Sequence, residues 1–299
     1  MKDIKTILII CLLFTIPQIC NAKTDSPHDI SIIAEVAKTG FIGESFKYEV
    51  SLISSSGDIS NVRFLSGGEI SGDVEEINGI VNNARPIQIE KKGKKYFKWI
   101  IARSFIIPKK MGKVSISSSK YVVYIPYETV VYHPFWGRQK KINYEELIVS
   151  CNPVEFKVNP LPGGGDKDFC GSIGDFSIKA WFPPGEIFKS NDAYVIFSIS
   201  GFGSLSDLKI PNISKLFHKN CRLKEVSQNE QQLQKDGKLY SEVILTCKFA
   251  PDEKDFEIDP LVLKFFNPES KKYYSTSSEL LKWSTSASKA NQKREAVEI

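Results

Sequence analysis

Apolar and polar residues alternate along much of this chain, and such alternation has the period of a β-strand rather than that of a helix. The first clear run shows apolar residues at Phe46, Tyr48, Val50 and Leu52. Later runs have apolar residues at Phe97, Trp99, Ile101, Phe105, Val114, Ile116, Tyr121, Val123 and Ile125. Helical periodicity is nearly absent, apart from weak signals at residues 214–217 and 279–283. The sequence therefore predicts an all-β protein in which strands have one core face and one solvent face.

The strand-like runs fall into two series, separated by the sequence Val-Asn-Pro-Leu-Pro-Gly-Gly-Gly-Asp at residues 158–166. Prolines cannot donate to a β-ladder and glycines have little conformational preference, so this stretch predicts a domain boundary. In the second series, Val243, Leu245, Cys247 and Phe249 share one face. We predict two tandem immunoglobulin-like β-sandwich domains, with a linker and a disordered polar tail. The predicted ranges are 26–158 for the first domain, 159–168 for the linker, 169–284 for the second domain and 285–299 for the tail.

The first 22 residues have the order of a secretory signal peptide. Two lysines precede an apolar run at residues 7–16, and Cys20 and Ala22 stand at the two positions that signal peptidase inspects. Cleavage after Ala22 is expected, with acylation of Cys20 as an alternative. No later run reaches the ~20 apolar residues of a spanning helix. We therefore predict a periplasmic or secreted protein without a transmembrane helix in the mature chain.

The charge of the mature chain is nearly balanced. The 40 basic and 35 acidic residues fall to 38 and 34 when Lys2, Lys5 and Asp3 leave with the signal peptide. This balance gives no reason to expect a nucleic-acid partner. The basic cluster Lys91-Lys92-Gly93-Lys94-Lys95 predicts a hairpin turn with solvated lysines, and a role in binding nucleic acid or acidic lipid is the less favoured alternative.

Residues suited to catalysis or metal binding are few. The chain has three histidines, His28, His133 and His218, and none lies in a Gly-x-Ser-x-Gly context. No Cys-x-x-Cys spacing suggests a zinc site. We predict a non-enzymatic protein with no catalytic residues, no bound metal and no cofactor.

Three passages resemble the BatD family of bacterial oxygen-tolerance (aerotolerance) proteins, and they occur in the family's order. The first is Asn-Pro-Val-Glu-Phe-Lys-Val-Asn-Pro-Leu-Pro at 152–162 with Phe-Cys-Gly-Ser-Ile-Gly-Asp-Phe at 169–176. The second is Ile-Ser-Gly-Phe-Gly-Ser-Leu at 199–205, leading to Ile210-Pro211, and the third is Phe-Phe-Asn-Pro-Glu-Ser-Lys-Lys-Tyr at 265–273. With Gly43-Glu44 and Pro134-Phe135-Trp136 upstream, the resemblance covers most of residues 30–285.

The resemblance implies an envelope protein of immunoglobulin-like domains. Proteins of this family are thought to act beside von Willebrand A-type proteins and a MoxR-type ATPase in stress or oxygen tolerance, with no established catalytic activity. Family members commonly carry a membrane-spanning helix after the sandwich domains, whereas this chain ends in a polar tail. We therefore expect a form that is released or held only by its partners.

The mature chain keeps four cysteines, an even number in a compartment that permits oxidation: Cys151, Cys170, Cys221 and Cys247. The BatD family tends to have serine where Cys151 and Cys170 stand, which suggests a bond between these two across the linker. Of the three possible pairings we favour this one, with Cys221 joined to Cys247 in the second domain. Free thiols remain the alternative.

One loop stands out as a candidate partner-binding element. Pro134 and Gly137 should break any strand, so Phe135 and Trp136 must lie on a loop, close to Tyr132 and Arg138. Trp, Tyr and Arg dominate binding hot spots. These side chains either fold back onto the sandwich, which we favour, or contact a partner. A second candidate is Phe202, between two glycines at the end of a strand.

Three functions are compatible with these features. The first is a protein-interaction or scaffold module that binds envelope proteins, such as the von Willebrand A-type proteins that the resemblance implies, through loops or open strand edges. The alternative is a surface adhesive or carbohydrate-binding β-sandwich, which exposed aromatic residues on one sheet face would favour. An enzyme ranks last.

Overall fold

The computed structural model describes residues 29–79, 85–164, 167–183, 192–217, 221–253 and 255–284. Within these ranges the protein is all-β, which confirms the predicted class, and helical turns occur only at Pro162–Gly164 and Ile213–Leu216. None of the described helical segments has the length and apolar character needed to cross a membrane. The predicted signal peptide, the predicted tail, His28 and His218 lie outside the described residues.

The N-terminal half, residues 29–159, contains twelve strands among its described residues. They are β1 Ile30–Glu35, β2 Thr39–Phe41, β3 Phe46–Ser54, β4 Asn61–Gly67, β5 Ile70–Ser71, β6 Val74–Asn78, β7 Ile87–Lys91, β8 Lys94–Pro108, β9 Gly112–Ile116, β10 Ser119–His133, β11 Gly137–Ser150 and β12 Val154–Asn159. They pair into three sheets with the orders β1-β3-β8-β6, β11-β10-β4 and β2-β12-β9-β5, and β7 also pairs with β8.

The C-terminal half, residues 167–284, contains eight strands among its described residues. They are β13 Phe169–Trp181, β14 Ala193–Ser204, β15 Cys221–Lys235, β16 Lys238–Pro251, β17 Phe256–Ile258, β18 Val262–Asn267, β19 Lys272–Ser277 and β20 Leu281–Trp283. Six of them form one sheet with the order β15-β16-β14-β13-β18-β19, and β17 pairs with β20. Strands β13 and β18 are parallel, so a long connection separates them in sequence.

Two-residue turns with left-handed backbone close two of the hairpins. Lys92 and Gly93 join β7 to β8 with φ values of +52° and +75°, and Asp236 and Gly237 join β15 to β16 with +52° and +73°. Positive φ at both central residues is typical of the turn whose twist matches paired strands. The basic cluster therefore forms the predicted hairpin turn, and Lys92, Lys94 and Lys95 are exposed.

Each half has its own apolar core. The N-terminal core is drawn from strands of all three sheets, and its most buried members include Val50, Leu52, Ile106, Ile116 and Val123. The C-terminal core includes Val195, Phe197, Val243, Leu245, Cys247, Phe249 and Phe265. In β16 the buried and half-buried residues alternate from Val243 to Phe249, which confirms the predicted core face of this strand.

Strand β3 departs from the predicted pattern of one core face and one wet face. It lies between β1 and β8, and Glu49 and Ser51 are buried together with the apolar residues on its other face. The long side chains of Arg103 and Lys98, both on β8, extend over Glu49 and form ion pairs with it. The charged neighbours thus cover a face that sequence alternation assigns to solvent.

The two halves contact each other through a small apolar cluster flanked by polar bonds. Phe105 and Ile107 of β8 pack against Leu239 of β16, and all three are almost fully buried. Lys109 forms ion pairs of 2.9 Å with both Glu75 and Asp207, so its ammonium group joins the halves. Phe41 also meets Phe266 edge to face, with a centroid distance of 5.0 Å. We call this contact region the junction.

Candidate interaction site

The long hairpin of β10 and β11 extends beyond its own sheet. The two strands pair without a break from Lys120 opposite Ser150 to His133 opposite Gly137. Strand β4, the third strand of the sheet, pairs with β10 only as far as Tyr124. Residues 126–144 therefore form a two-stranded ribbon, which we call the arm. At ~3.3 Å per residue, each strand of the arm extends for roughly 25 Å.

The turn at the end of the arm follows from two residues that restrict the backbone. Pro134 opens the turn at a position where a fixed φ is favourable, and Gly137 closes it with φ +69° in the left-handed region. The backbone N–H of Phe135 donates to Nδ1 of His133 at 3.3 Å. The prediction that Phe135 and Trp136 lie on a loop is therefore confirmed.

The aromatic residues of the turn point away from the protein body. Phe135 is 88% exposed, Tyr132 78% and Trp136 74%, and Arg138 opposite Tyr132 is also exposed. This exposure contradicts the favoured prediction that these side chains pack on the sandwich. The physical reason is that β10 and β11 pair with each other beyond the point where β4 ends, so the turn lies too far from the rest of the sheet to pack on it.

The arm also carries an apolar stripe that the sequence analysis missed. Alternate residues of a strand, and the residues directly opposite them, share a face, so Val130, Tyr132, Ile142 and Tyr144 all lie on one side of the ribbon. Arg138 and the ion-paired Lys140 and Glu128 lie on the same side. Val130 is 64% exposed, Ile142 58% and Tyr144 54%. The alternation of apolar residues at 130 and 132 before the Pro-x-x-Gly turn, and at 142 and 144 after it, is the sequence signal that could have identified this stripe.

The charges of the arm are uneven along its length. Residues 129–144 contain no Asp or Glu, while Arg138, Lys140 and Lys141 follow the turn. Lys140 forms an ion pair of 2.8 Å with Glu128, and both side chains are largely exposed. Glu128 offsets the charge of Lys140, so Arg138 and Lys141 leave the end of the arm positively charged.

Phe202, the other predicted contact residue, lies on β14 in the C-terminal half and shares no surface with the arm. Its ring meets Tyr240 edge to face at 5.7 Å, and Nζ of Lys238 lies 6.0 Å from the ring centre. Phe202 lines a groove of about 470 Å³ at the junction, together with Phe105 and Leu239. The residue is half-buried rather than part of an exposed patch.

The groove is rimmed by more acids than bases. Four of its lining residues are acidic and two are basic, namely Glu44, Asp175, Asp236, Glu269, Lys47 and Lys238. Burial raises the pKa of the Glu44 carboxyl; the N–H of Phe41 opposes this rise by donating to it, and the charge of Glu269 adds to it. Glu44 is therefore held by the backbone of its own half rather than by a cation across the groove.

The four cysteines do not form the disulfides that we favoured. All four are buried free thiols. Cys247 lies opposite Val226 on β15, whereas Cys221 lies opposite Pro251, so the two are four positions apart along neighbouring strands. This offset corresponds to ~13 Å, beyond the Cα separation of about 7 Å that a disulfide can bridge. Cys151 belongs to the N-terminal core and Cys170 to the C-terminal core, which also separates the second pair.

Other chemistry has little support within the residues that are described. No group of three or more His, Cys, Asp or Glu is placed there to hold a metal ion. His133 is the one histidine in the described ranges, and its Nδ1 accepts the Phe135 N–H at the turn. Burial raises the pKa of Cys221 to about 11, with the charge of Asp252 adding to the effect, and burial raises that of Cys247 to about 12.

No family model matches the chain, and no curated protein matches it. The resemblance to BatD therefore stays a prediction from the passages quoted above. Those passages meet at the junction, where the groove is lined by Glu44, by residues 173–175, by residues 202–203 and by residues 267–269. A Cβ on Gly203 would lie 2.3 Å from the carbonyl oxygen of Ile173, so close approach of β13 and β14 requires glycine there.

Proposed function

We propose that the protein is an exported, non-enzymatic interaction module that binds other envelope proteins through the arm. The observation that carries this proposal is the apolar stripe of Val130, Tyr132, Ile142 and Tyr144 on one face of a projecting ribbon. Lys140 and Glu128 share this face, so the stripe combines exposed apolar side chains with an ion pair. Several large exposed apolar residues on one face of a projecting element typically mark an interaction site.

Tyr132 and Arg138 provide the polar part of the proposed contact. They lie opposite each other at the outer end of the stripe. Tyr and Arg are enriched at the energetic centres of protein interfaces because both combine a large contact area with hydrogen-bond donors. The stripe and its two open strand edges also permit an extended partner segment to add to the ribbon.

The domain organisation that we propose is a pair of tandem immunoglobulin-like β-sandwiches with a linker at residues 159–168. Two observations support it. The apolar residues fall into one core cluster before this stretch and another after it, and each cluster draws on strands that are distant in sequence. The junction then fixes one sandwich against the other, so the arm projects from a stable base.

The resemblance to BatD supports a particular class of partner. It implies periplasmic or secreted proteins with von Willebrand A-type domains, working with a MoxR-type ATPase in stress or oxygen tolerance. We propose that one of these proteins binds the stripe.

A carbohydrate-binding function has weaker support. It would be favoured by aromatic rings that form one platform on a sheet face. On the arm, Tyr132 and Tyr144 lie on one face of the ribbon, whereas Tyr127 lies on the other. The rings are therefore divided between two surfaces.

Site-specific photocrosslinking tests the proposed contact. A photoreactive residue in place of Ile142 should crosslink to a von Willebrand A-type protein in envelope preparations, identified by mass spectrometry. The matched control is the same residue in place of Ile87, which is equally exposed but outside the arm. Substitution of Val130→Ser should abolish the crosslink from position 142. Crosslinks of equal yield from positions 87 and 142, or none from 142, would reject the arm as the binding element.

A further inference from the structure

The turn of the arm presents aromatic residues beyond the end of the stripe. Phe135 and Trp136 follow the last residue of β10 and precede the first residue of β11, so neither belongs to a ribbon face. They are among the most exposed large apolar side chains that the structure describes. The surface area of so short a turn is far smaller than the ~800 Å² that each partner buries in a standard protein interface.

The backbone of this turn is suited to leaving water. Pro134 has no N–H to satisfy, and the N–H of Phe135 already donates to Nδ1 of His133 at 3.3 Å. The two residues that flank the turn, His133 and Gly137, pair with each other as the last pair of the ribbon. These features lower the cost of desolvating the turn, because fewer of its backbone N–H groups lose water without a partner.

Positive charge lies directly behind the aromatic residues. Arg138, Lys140 and Lys141 follow Trp136 within five residues, and the nearest acids in the sequence are Glu128 and Glu145. Trp at a membrane–water interface, with Lys or Arg at the level of the lipid phosphates, is a recurrent arrangement in membrane-binding segments.

We propose that the turn inserts Phe135 and Trp136 into the interfacial region of an anionic lipid bilayer, with Arg138 and Lys141 at the headgroup phosphates. The insertion depth is that of an interfacial segment, roughly 5–10 Å. This inference goes beyond the proposed function and does not depend on it, because it rests on Phe135 and Trp136, which are not part of the stripe. Arg138 is the residue that both proposed contacts share. A protein held in this way presents the stripe to partners at the membrane surface.

Vesicle co-sedimentation with the purified mature chain tests the insertion. Wild-type protein should bind vesicles that contain phosphatidylglycerol and phosphatidylcholine, and should bind pure phosphatidylcholine at least tenfold more weakly. Phe135→Ser combined with Trp136→Ser should lower binding to the anionic vesicles at least tenfold. The matched control combines Ile87→Ser with Met111→Ser, two exposed apolar residues outside the arm, and should bind as wild type does.

A second pair of variants separates the arm's charge from the charge of the whole molecule. Arg138→Gln, Lys140→Gln and Lys141→Gln together should weaken binding to anionic vesicles by roughly fivefold per cation removed. Lys92→Gln, Lys94→Gln and Lys95→Gln remove the same charge from another exposed turn and should have little effect. Absence of wild-type binding, or an equal loss in both triple variants, would overturn the proposal.

The outcome for lipid is distinguishable from the outcome for protein. Val130→Ser with Ile142→Ser alters the stripe and should leave vesicle binding unchanged. If this variant loses vesicle binding while the Phe135 and Trp136 variant keeps it, the turn is not the lipid contact. If purified wild-type protein does not bind vesicles while the crosslink from position 142 persists, the lipid proposal is overturned and the proposed protein contact stands.

Discussion

At the scale of single residues, the most informative group is Glu49, an acid in the middle of β3. It is only 7% exposed, yet its pKa lies below the ordinary value. Burial works to raise its pKa, but the hydrogen bonds from Arg103, at 2.6 and 3.0 Å, and the charges of Lys47 and Lys98 outweigh burial and lower it. A carboxylate in this setting stabilises the folded state because it is better partnered there than in the unfolded chain.

Glu49→Gln should therefore destabilise the protein by roughly 2 kcal/mol at neutral pH, because the Arg103 guanidinium then faces a neutral group. Since the folded pKa is lowered, the stabilisation by Glu49 is present above the unfolded value of 4.5 and is lost as the pH falls through the folded pKa. Denaturant melts at several pH values should show the gap between wild type and variant shrinking below pH 4.5.

Glu155→Gln is the matched control, because Glu155 pairs with Lys113 at 2.7 Å while both side chains are more than half exposed. This variant should lie within about 0.5 kcal/mol of wild type at every pH. A gap for Glu49→Gln that stays constant through acid pH would refute the ionised, partnered state of Glu49.

The cysteines give a second test at this scale. Because Cys221 and Cys247 are four strand positions apart, and Cys151 and Cys170 lie in separate cores, we expect four free thiols in the mature chain. Alkylation under denaturing, non-reducing conditions should add four groups, as measured by intact mass. In the native protein, burial should keep these thiols nearly unreactive. Two or four protected sulfurs after denaturation would show that disulfides form after all.

At the scale of strands and hairpins, local pattern predicted much of what the structure contains. Alternation identified the core face of β16, and the positions of glycine and proline identified the turns at Gly93 and Gly137. Alternation does not state which strands pair, so the parallel contact of β13 with β18 and the mixed burial of β3 could not be derived. Residues 281–283, where a weak helical signal was noted, pair as strand β20 instead.

The extent of strand pairing was also what the sequence could not predict at the candidate site. Pro134 and Gly137 predicted a loop, but they do not indicate how far that loop lies from the body of the protein. The free length of the arm depends on where β4 stops pairing, at Tyr124. Once the register of β10 with β11 is known, the stripe follows directly from the residues that lie opposite each other.

The turn residue Gly137 supplies a prediction for the hairpin as an element. Its φ of +69° is strained for other residues, so Gly137→Ala should destabilise the end of the arm by about 1 kcal/mol. Hydrogen exchange should become faster in residues 130–142 and stay unchanged in the cores. Gly57→Ala is the control, because a Cβ there would meet Phe97 only at an ordinary contact distance of 3.5 Å. Unchanged exchange in the arm would contradict the left-handed turn.

At the scale of the whole molecule, the junction determines whether the two halves unfold together. Leu239 of the C-terminal half is 3% exposed because it packs on Phe105 and Ile107 of the N-terminal half. The ion pairs of Lys109 with Glu75 and Asp207 flank this cluster. Proteins with two cores often unfold in more than one step. Because the junction joins the halves through buried apolar contacts and ion pairs, we expect a single transition here.

Leu239→Ala should lower the free energy of unfolding by roughly 3 kcal/mol, because it removes buried contacts at the junction. The two halves should then melt separately. Calorimetry should record one transition for wild type and two for the variant. Leu233→Ala, at a 41% exposed position on the neighbouring strand β15, should keep one transition. Two transitions already in wild type would show that the junction couples the halves weakly.

The central claim is that the arm binds the partner protein and that the rest of the molecule holds the arm in position. Because Ile125 lies opposite Glu145, an Asn-Gly turn can join these two residues directly and replace the whole arm. The most direct measurement is capture, by this shortened protein, of the partner identified by crosslinking from position 142. We expect the shortened protein to melt within a few degrees of wild type and to capture none of that partner. Capture at the wild-type level by a folded, armless protein would contradict the account.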